Sequence, residues 1–146
     1  MPKYSLANYI LSIESDNQTL RDMFGSISIG GEGSMLGSIT ITQTNNLWTT
    51  ASYPTGGWVH SKNLSRVGTI ELTINMLSDS TSRFKKMVGV YYTGDYGSFT
   101  LSISDNEGNE LVSAIDCLPQ NYASLSLAES PQDQTWTFTC GQIIYK

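Results

Sequence analysis

Residues 68–76 read GTIELTINM, and their strict alternation decides the fold class. Every second position carries an apolar side chain: Ile70, Leu72, Ile74 and Met76. Successive side chains of a β-strand point to opposite faces of a sheet, so the pattern predicts a strand with one buried and one solvated face.

The same period of two recurs along most of the chain. It is found in the segments 9–13, 26–29, 38–42, 99–103, 111–115 and 136–140. Two turn-forming stretches, GGEGS at 30–34 and DNEGN at 105–109, each join two such segments closely enough for a hairpin. The sequence therefore predicts one mainly β domain over residues 1–146, built as an antiparallel β-sandwich or a small barrel.

One segment departs from the period of two. Residues 78–91 open with Ser and Asp, which favour the N-cap of a helix, and then place apolar side chains at helical spacing: Phe84, Met87, Val88 and Tyr91. This pattern predicts a single amphipathic helix over about residues 79–91. Its basic side chains, Arg83, Lys85 and Lys86, are expected on the solvated side.

The composition narrows the class of function. Charged residues make up 14% of the chain, against about 25% in an average soluble domain, and the net charge is −5. A phosphate-binding surface needs clustered Lys and Arg, so nucleic-acid binding is not expected. The N-terminal pattern is not typical of a signal peptide, so none is expected, and no run approaches roughly 18 apolar residues. A chain without a signal meets a reducing compartment, so Cys117 and Cys140 are predicted to be buried, reduced thiols.

No motif predicts catalysis, a cofactor or a metal. His60 is the only histidine, and no serine near it lies in a G-x-S-x-G turn. The acidic run 105–110 lacks the distal bidentate Glu of a calcium loop and is expected to be a turn. The glycines at 30–33 do not precede a helix whose N-terminus could bind a phosphate, so they are expected to form a turn. Because none of these motifs supports catalysis, we predict a protein that is not an enzyme.

Residues 44–65 are predicted to form a long inter-strand loop, which contains the sequence NNLWTTASYPTGGWVHSKN at 45–63. Pro54, Gly56 and Gly57 make it too irregular for a central strand. Three interpretations of its aromatic side chains are open. The aromatic side chains are Trp48, Tyr53 and Trp58. They could stack on sugar rings, anchor a protein interface, or fold back into the core of the domain.

Four features follow one another in a recognisable order. They are GWVHSKN at 57–63, RVGTIELTI at 66–74, the capped helix, and QTWTF at 134–138. This order, and a segment of the form N-x-x-R-x-G-x-I-x-L, is similar to the tail tube proteins of contractile-tailed bacteriophages. The resemblance spans nearly the whole chain.

The resemblance implies a virion structural protein. It implies hexameric rings that stack into a hollow tube inside a contractile sheath, with neighbouring subunits closing a β-barrel around the lumen. DNA would pass through the lumen without specific binding, and the other partners would be the sheath, baseplate and tail terminator proteins, with no membrane. Assembly is expected in the cytoplasm of the host bacterium.

The resemblance also gives roles to particular residues. The long loop is expected to contact subunits of the same or the adjacent ring, through Trp48, Tyr53, Trp58, His60, Lys62 and Arg66. The hydroxyl-rich strands 26–29 and 38–42 are expected to form a hairpin that faces the lumen, through Ser26, Ser28, Ser38, Thr40 and Thr42. An ordinary solvent-facing sheet is the alternative for these strands. A non-catalytic carbohydrate-binding β-sandwich that uses the loop aromatics is the alternative function.

Overall fold

The computed structural model describes residues 5–31 and 34–146, and in this part of the chain it shows a seven-stranded sheet, a two-stranded hairpin and two α-helices. A 3-10 turn, Leu6–Asn8, precedes the first strand. In chain order the elements are β1 (Tyr9–Ser15), α1 (Gln18–Phe24), β2 (Ile27–Gly30), β3 (Leu36–Gln43), β4 (Trp48–Ser52), β5 (Trp58–Lys62), β6 (Gly68–Asn75), α2 (Asp79–Thr93), β7 (Phe99–Asp105), β8 (Glu110–Pro119) and β9 (Asp133–Tyr145).

The large sheet has the strand order β2-β1-β7-β8-β9-β6-β3, and every neighbouring pair is antiparallel. It curls into a half-barrel, which confirms the predicted mainly β, antiparallel fold. GTIELTIN alternates between buried and accessible positions in β6, whereas the apolar residues of 38–42, Ile39 and Ile41, are only partly buried at the edge of the sheet. The period-two segments therefore all become strands of one sheet, rather than of two facing sheets.

The predicted helix is confirmed as α2. The Ser78 side chain accepts a hydrogen bond from the backbone N–H of Ser80 at 3.4 Å, which caps the first turn. Phe84, Met87 and Val88 are buried against the sheet, and the Phe84 ring lies 5.6 Å from that of Trp136. The short helix α1 was not predicted, because its seven residues bury only Leu20 and so show no helical period.

The hairpin predicted for the GGEGS stretch is wrong. β2 pairs with β1 and β3 pairs with β6, so the two strands form opposite edges of the sheet. Gly30 has a φ of +115°, and a Cβ there would collide with the Tyr9 carbonyl oxygen, so this glycine is needed for a close approach to β1. Residues 32 and 33 of the predicted turn lie outside the described part of the chain.

The second predicted hairpin is confirmed. β7 and β8 pair, and Gly108 turns the chain with a φ of +87°. The Asp105 carboxylate accepts the backbone N–H groups of Glu107 and Asn109, at 3.0 and 2.9 Å. The bond from Asn109 is the main reason why the pKa of Asp105 lies below its ordinary value. The carboxylate thus holds the turn together.

Cys117 and Cys140 are register partners on β8 and β9 and both are buried, as predicted. They are free thiols, and the Cys117 Sγ donates to the Cys140 Sγ at 2.9 Å. This hydrogen bond, together with burial, raises the pKa of the Cys117 thiol. Neither helix of the described chain is long and apolar enough to cross a membrane.

Candidate functional site

Most of the predicted loop 44–65 is an arm that continues the β3–β6 pair beyond the sheet. The Thr44 N–H donates to the Val67 carbonyl at 3.0 Å, and the Asn63 N–H donates to the Leu47 carbonyl at 2.8 Å. β4 and β5 then pair as an antiparallel hairpin. The Tyr53 N–H closes the turn by donating to the Gly57 carbonyl at 2.9 Å. The segment is therefore a second hairpin where an irregular loop was expected.

One face of the hairpin carries most of the residues predicted for the loop. Register partners share a face of a strand pair, and the partners here are Trp48 with Lys62, Thr50 with His60, and Ser52 with Trp58. We call this side the aromatic face: Trp48, Thr50, Ser52, Trp58, His60 and Lys62. All ten residues of β4 and β5 are exposed.

Contacts within the aromatic face hold its side chains in place. The Lys62 Nζ lies 5.5 Å from the centre of the Trp48 ring, and the His60 ring meets Trp48 edge-on at 6.5 Å. The Thr50 Oγ1 and His60 Nδ1 are hydrogen-bonded at 2.8 Å. An exposed cation–π contact contributes about 0.5–1 kcal/mol, so Trp48 has a preferred position although no core covers it.

The exposure of the arm rules out one of the three interpretations of its aromatics. Trp48 and Tyr53 are each 54% exposed and Trp58 is 67% exposed, so the interpretation that they fold into the core of their own domain is wrong. Exposed Trp and Tyr side chains on a projecting element are typical anchors of a protein interface. The arm is therefore a surface that another molecule can cover.

The root of the arm contains the two basic side chains predicted for the loop. Lys62 and Arg66 line a groove of about 530 Å³ together with Leu64 and Tyr145. The Arg66 backbone is fixed to the sheet, since its carbonyl accepts the Ile143 N–H at 2.9 Å. Tyr53 lies apart from them, at the turn of the hairpin.

The five hydroxyl residues predicted for the lumen lie on one side of the sheet, which we call the open face because it is opposite the core and the helix α2. Ser28 is the register partner of Ser12, and Thr40 is that of Glu71. Ser26 precedes β2 and donates to the Glu14 Oε1 at 3.3 Å. All five are exposed and lie at the two edge strands of the sheet. Ser26 and Ser28 are at β2, and Ser38, Thr40 and Thr42 are in β3.

The described strands give the open face no positive charge. The seven strands of the sheet contain no Lys or Arg, and their open side includes the carboxylates of Glu14, Glu71 and Asp133. Hydroxyl groups fill most other positions, and two of them, on Thr73 and Thr135, are hydrogen-bonded at 3.2 Å. A polyanion that approaches these strands finds no cation to bind and at least three carboxylates that repel it.

The sequence did not reveal that β2 and β3 are the edges of the sheet. Within the described residues neither strand pairs with a further strand on its outer side. The period of two carries no information on strand order. The turn signal at 30–34 suggested that β2 and β3 pair with each other. In the same described part of the chain, no three His, Cys, Asp or Glu side chains are grouped so that they could hold a metal.

Comparison with known proteins gives one family and several solved structures. Residues 5–146 match the profile of a family described as "Bacteriophage PhiTE tail tube protein". No curated protein sequence matches the chain.

Three solved structures illustrate the shared fold. The sheath-tube complex of the extracellular contractile injection system PVC, in its extended state, is 15% identical with a TM-score of 0.61, and the match covers 99% of this chain and 91% of that one. The PVC sheath/tube terminator is 11% identical with a TM-score of 0.59 and coverages of 100% and 98%. The 6-fold symmetrised baseplate of the anti-feeding prophage (AFP) is 10% identical with a TM-score of 0.56 and coverages of 99% and 95%.

Proposed function

Because this chain belongs to the bacteriophage PhiTE tail tube protein family, we propose that its copies form hexameric rings that stack into a hollow tube. Family membership makes the chain a structural subunit of a phage tail tube. The number six is supported by the similar baseplate structure, which is described as 6-fold symmetrised. In this proposal the whole chain is one tube domain, and it has no catalytic role.

The single observation that carries the proposal is the pair of unpaired edges, β2 and β3. An edge strand presents unpaired N–H and C=O groups that readily pair with another chain, and closure into a barrel removes such edges. Both strands carry exposed hydroxyl side chains on the same open face. Neighbouring subunits can therefore join edge to edge and bring their open faces to one continuous surface.

That surface is the proposed lumen, lined by Ser26, Ser28, Ser38, Thr40 and Thr42. The absence of Lys and Arg from the seven strands suits a channel that passes DNA during ejection without holding it. The proposal assigns the other predicted residues to contacts between subunits of the same or the adjacent ring. They are those of the aromatic face, Tyr53 and Arg66. Interface anchors of this type are commonly Trp and Tyr side chains that a partner desolvates.

The similar structures support the remaining partners. They are described as a sheath-tube complex, a sheath/tube terminator and a baseplate. We propose that this chain meets a sheath, a terminator and a baseplate in the virion, after assembly in the host cytoplasm and without contact with a membrane.

Negative-stain microscopy and size-exclusion chromatography of the purified chain test the proposal. We expect rings of six 16.0 kDa subunits, or stacked tubes, under conditions that promote assembly. A species that stays monomeric under all such conditions and binds sugars on a glycan array would overturn it in favour of the carbohydrate-binding alternative.

A further inference from the structure

A cavity of about 400 Å³ lies on the covered side of the sheet, away from the open face and the arm. Its walls are α2, the segment after β8, and the start of β9. The lining includes Lys85, Lys86, Tyr122, Leu125, Gln134 and Trp136. Its volume is in the range of about 300–1,000 Å³ that is usual for ligand-binding clefts.

Two deeply buried side chains of this cavity keep an unpaired polar atom. Gln134 is 3% exposed and Trp136 is 2% exposed. In the described part of the chain, neither the Gln134 Oε1 nor the Trp136 Nε1 has a hydrogen-bond partner, although the Gln134 Nε2 donates to the Ser124 carbonyl at 3.5 Å. Buried polar groups are normally paired, so these two point to a missing partner.

The two unpaired atoms need hydrogen-bond partners of opposite kinds. The Gln134 Oε1 needs a donor and the Trp136 Nε1 needs an acceptor. The residues are two apart on β9 and therefore lie on the same side of the strand, about 7 Å apart. An extended peptide offers both groups along one edge, since each of its amides supplies an N–H and a C=O.

The rim of the cavity is basic although the chain is acidic. Lys85 and Lys86 are exposed on α2, and Arg83 lies one turn or less away. These are three of the eight basic residues in a chain of net charge −5, and Asp79 is the acidic residue of that helix. Beside them Leu125 is 54% exposed. The rim thus combines positive charge with apolar surface.

We propose that this groove binds a short, acidic and leucine-bearing segment of a partner protein. The backbone N–H of the segment donates to the Gln134 Oε1, and one of its carbonyls accepts the Trp136 Nε1–H. Its carboxylates lie against Lys85 and Lys86, and its apolar side chains pack on Tyr122 and Leu125. None of its lining residues belongs to β2, β3 or the arm, so the site does not rest on the proposed pairing of the edges.

Fluorescence anisotropy with labelled peptides tests the site, in either the free or the assembled protein. The probe is a fluorescein-labelled peptide of sequence DLEDLE, and the matched control is the neutral peptide NLQNLQ with the same label. We expect saturable binding of the acidic probe alone, weakened by raising the salt concentration because exposed charge pairs are screened. Binding of both peptides with equal affinity, or of neither, would overturn the proposal.

Variants of the groove locate the binding. Lys85→Glu with Lys86→Glu should weaken binding of the DLEDLE peptide by about tenfold or more, because attraction becomes repulsion. Lys146→Glu, which reverses an exposed charge beyond the far end of β9 from Trp136, should change it by no more than about twofold, because that charge lies well outside the screening length of about 10 Å. Gln134→Met keeps a similar volume and removes the acceptor, so affinity should fall while the melting temperature stays near that of the parent. Equal losses in Lys146→Glu would contradict the site.

A further outcome identifies a different occupant. If the unlabelled protein self-associates with rising concentration and Lys85→Glu with Lys86→Glu abolishes this association, the groove holds a second copy of the chain. The partner-segment proposal would then be wrong.

Discussion

At Gly68 the backbone of β6 approaches its two neighbouring strands too closely for a side chain. A Cβ at this position would collide with the Thr42 carbonyl oxygen on β3 and would lie 2.6 Å from the Ile143 Cδ1 on β9. Gly68 begins β6, opposite Gln43 and Cys140. The glycine therefore allows β3, β6 and β9 to pack where the arm leaves the sheet.

Gly68→Ala should lower the free energy of unfolding by about 1–3 kcal/mol, because overpacking forces the backbone or Ile143 to move. Chemical denaturation measures the change. The matched control is Gly57→Ala in the arm, where an added Cβ meets nothing within 4 Å. Equal stabilities for the two variants would show that β6 adapts without strain.

Tyr91 makes the free energy of unfolding depend on pH in the alkaline range. Its hydroxyl donates to the Gly97 carbonyl at 2.6 Å. Burial, and to a smaller extent the charge of Asp95, raises its pKa to about 12 from 10.0. The raised pKa means that the folded state keeps the proton more tightly than the unfolded state does.

The stabilisation by Tyr91 should be fully present below pH 10 and lost as the pH rises from 10 to about 12. We expect the difference in unfolding free energy between the parent protein and Tyr91→Phe to be constant up to about pH 9 and to shrink above pH 10. Denaturant titrations across this range measure it. A difference that does not vary with pH would indicate that the phenol titrates equally in both states.

Among the elements, the arm formed by β4 and β5 is a paired hairpin with no described part of its own domain packed over it. Its strands pair over five residues each, and all ten side chains are exposed. The isolated subunit thus leaves Trp48 and Trp58 exposed to water, and we propose that another copy of the chain covers them in the assembly.

Trp58→Ala should impair stacking of the rings while changing the melting temperature of the subunit little, because Trp58 is 67% exposed. Trp136→Ala is the contrasting variant: Trp136 is 2% exposed and packs on Phe84, so its loss should cost about 3–5 kcal/mol. Thermal melts and electron microscopy of the same samples separate the two effects. Normal tubes from Trp58→Ala would exclude it as a stacking anchor.

The elements also show how far the sequence could predict the structure. The N-cap at Ser78, the spacing of Phe84 and Met87, and the alternation in β6 are local signals, and each was interpreted correctly. The pairing of β2 and β3 is not local: the glycines at 30 and 31 suggested a hairpin, but they serve a close approach to β1. The cavity beside α2 depends on the same long-range packing, and no local pattern in the sequence indicated it.

At the scale of the whole molecule, the two edges of the sheet set the geometry of assembly. β2 and β3 lie six strands apart in the sheet order, yet only residues 31–35 separate them along the chain. The sheet must curl for such a short connection to reach from one edge to the other. Each subunit therefore brings both of its edges to the same region of the molecule.

Cross-linking through cysteines at the two edges tests the proposed ring. In the variant Ser28→Cys with Thr40→Cys, a short bis-maleimide should give a ladder of covalent oligomers that ends at six chains. Each single variant should give dimers at most, and the parent should give none, because Cys117 and Cys140 are buried. A double variant that stays monomeric under assembly conditions would contradict pairing between β2 and β3 of neighbouring subunits.

The lack of Lys and Arg in all seven strands has a consequence for motion. A polyanion that slides over fixed cations must break and remake contacts at every step, and each step depends on ionic strength through the release of counterions. Over the open face there is no such contact to break, so transport along the proposed channel should experience little electrostatic drag. The rate of transport through the proposed channel should therefore be almost the same in dilute and in concentrated salt.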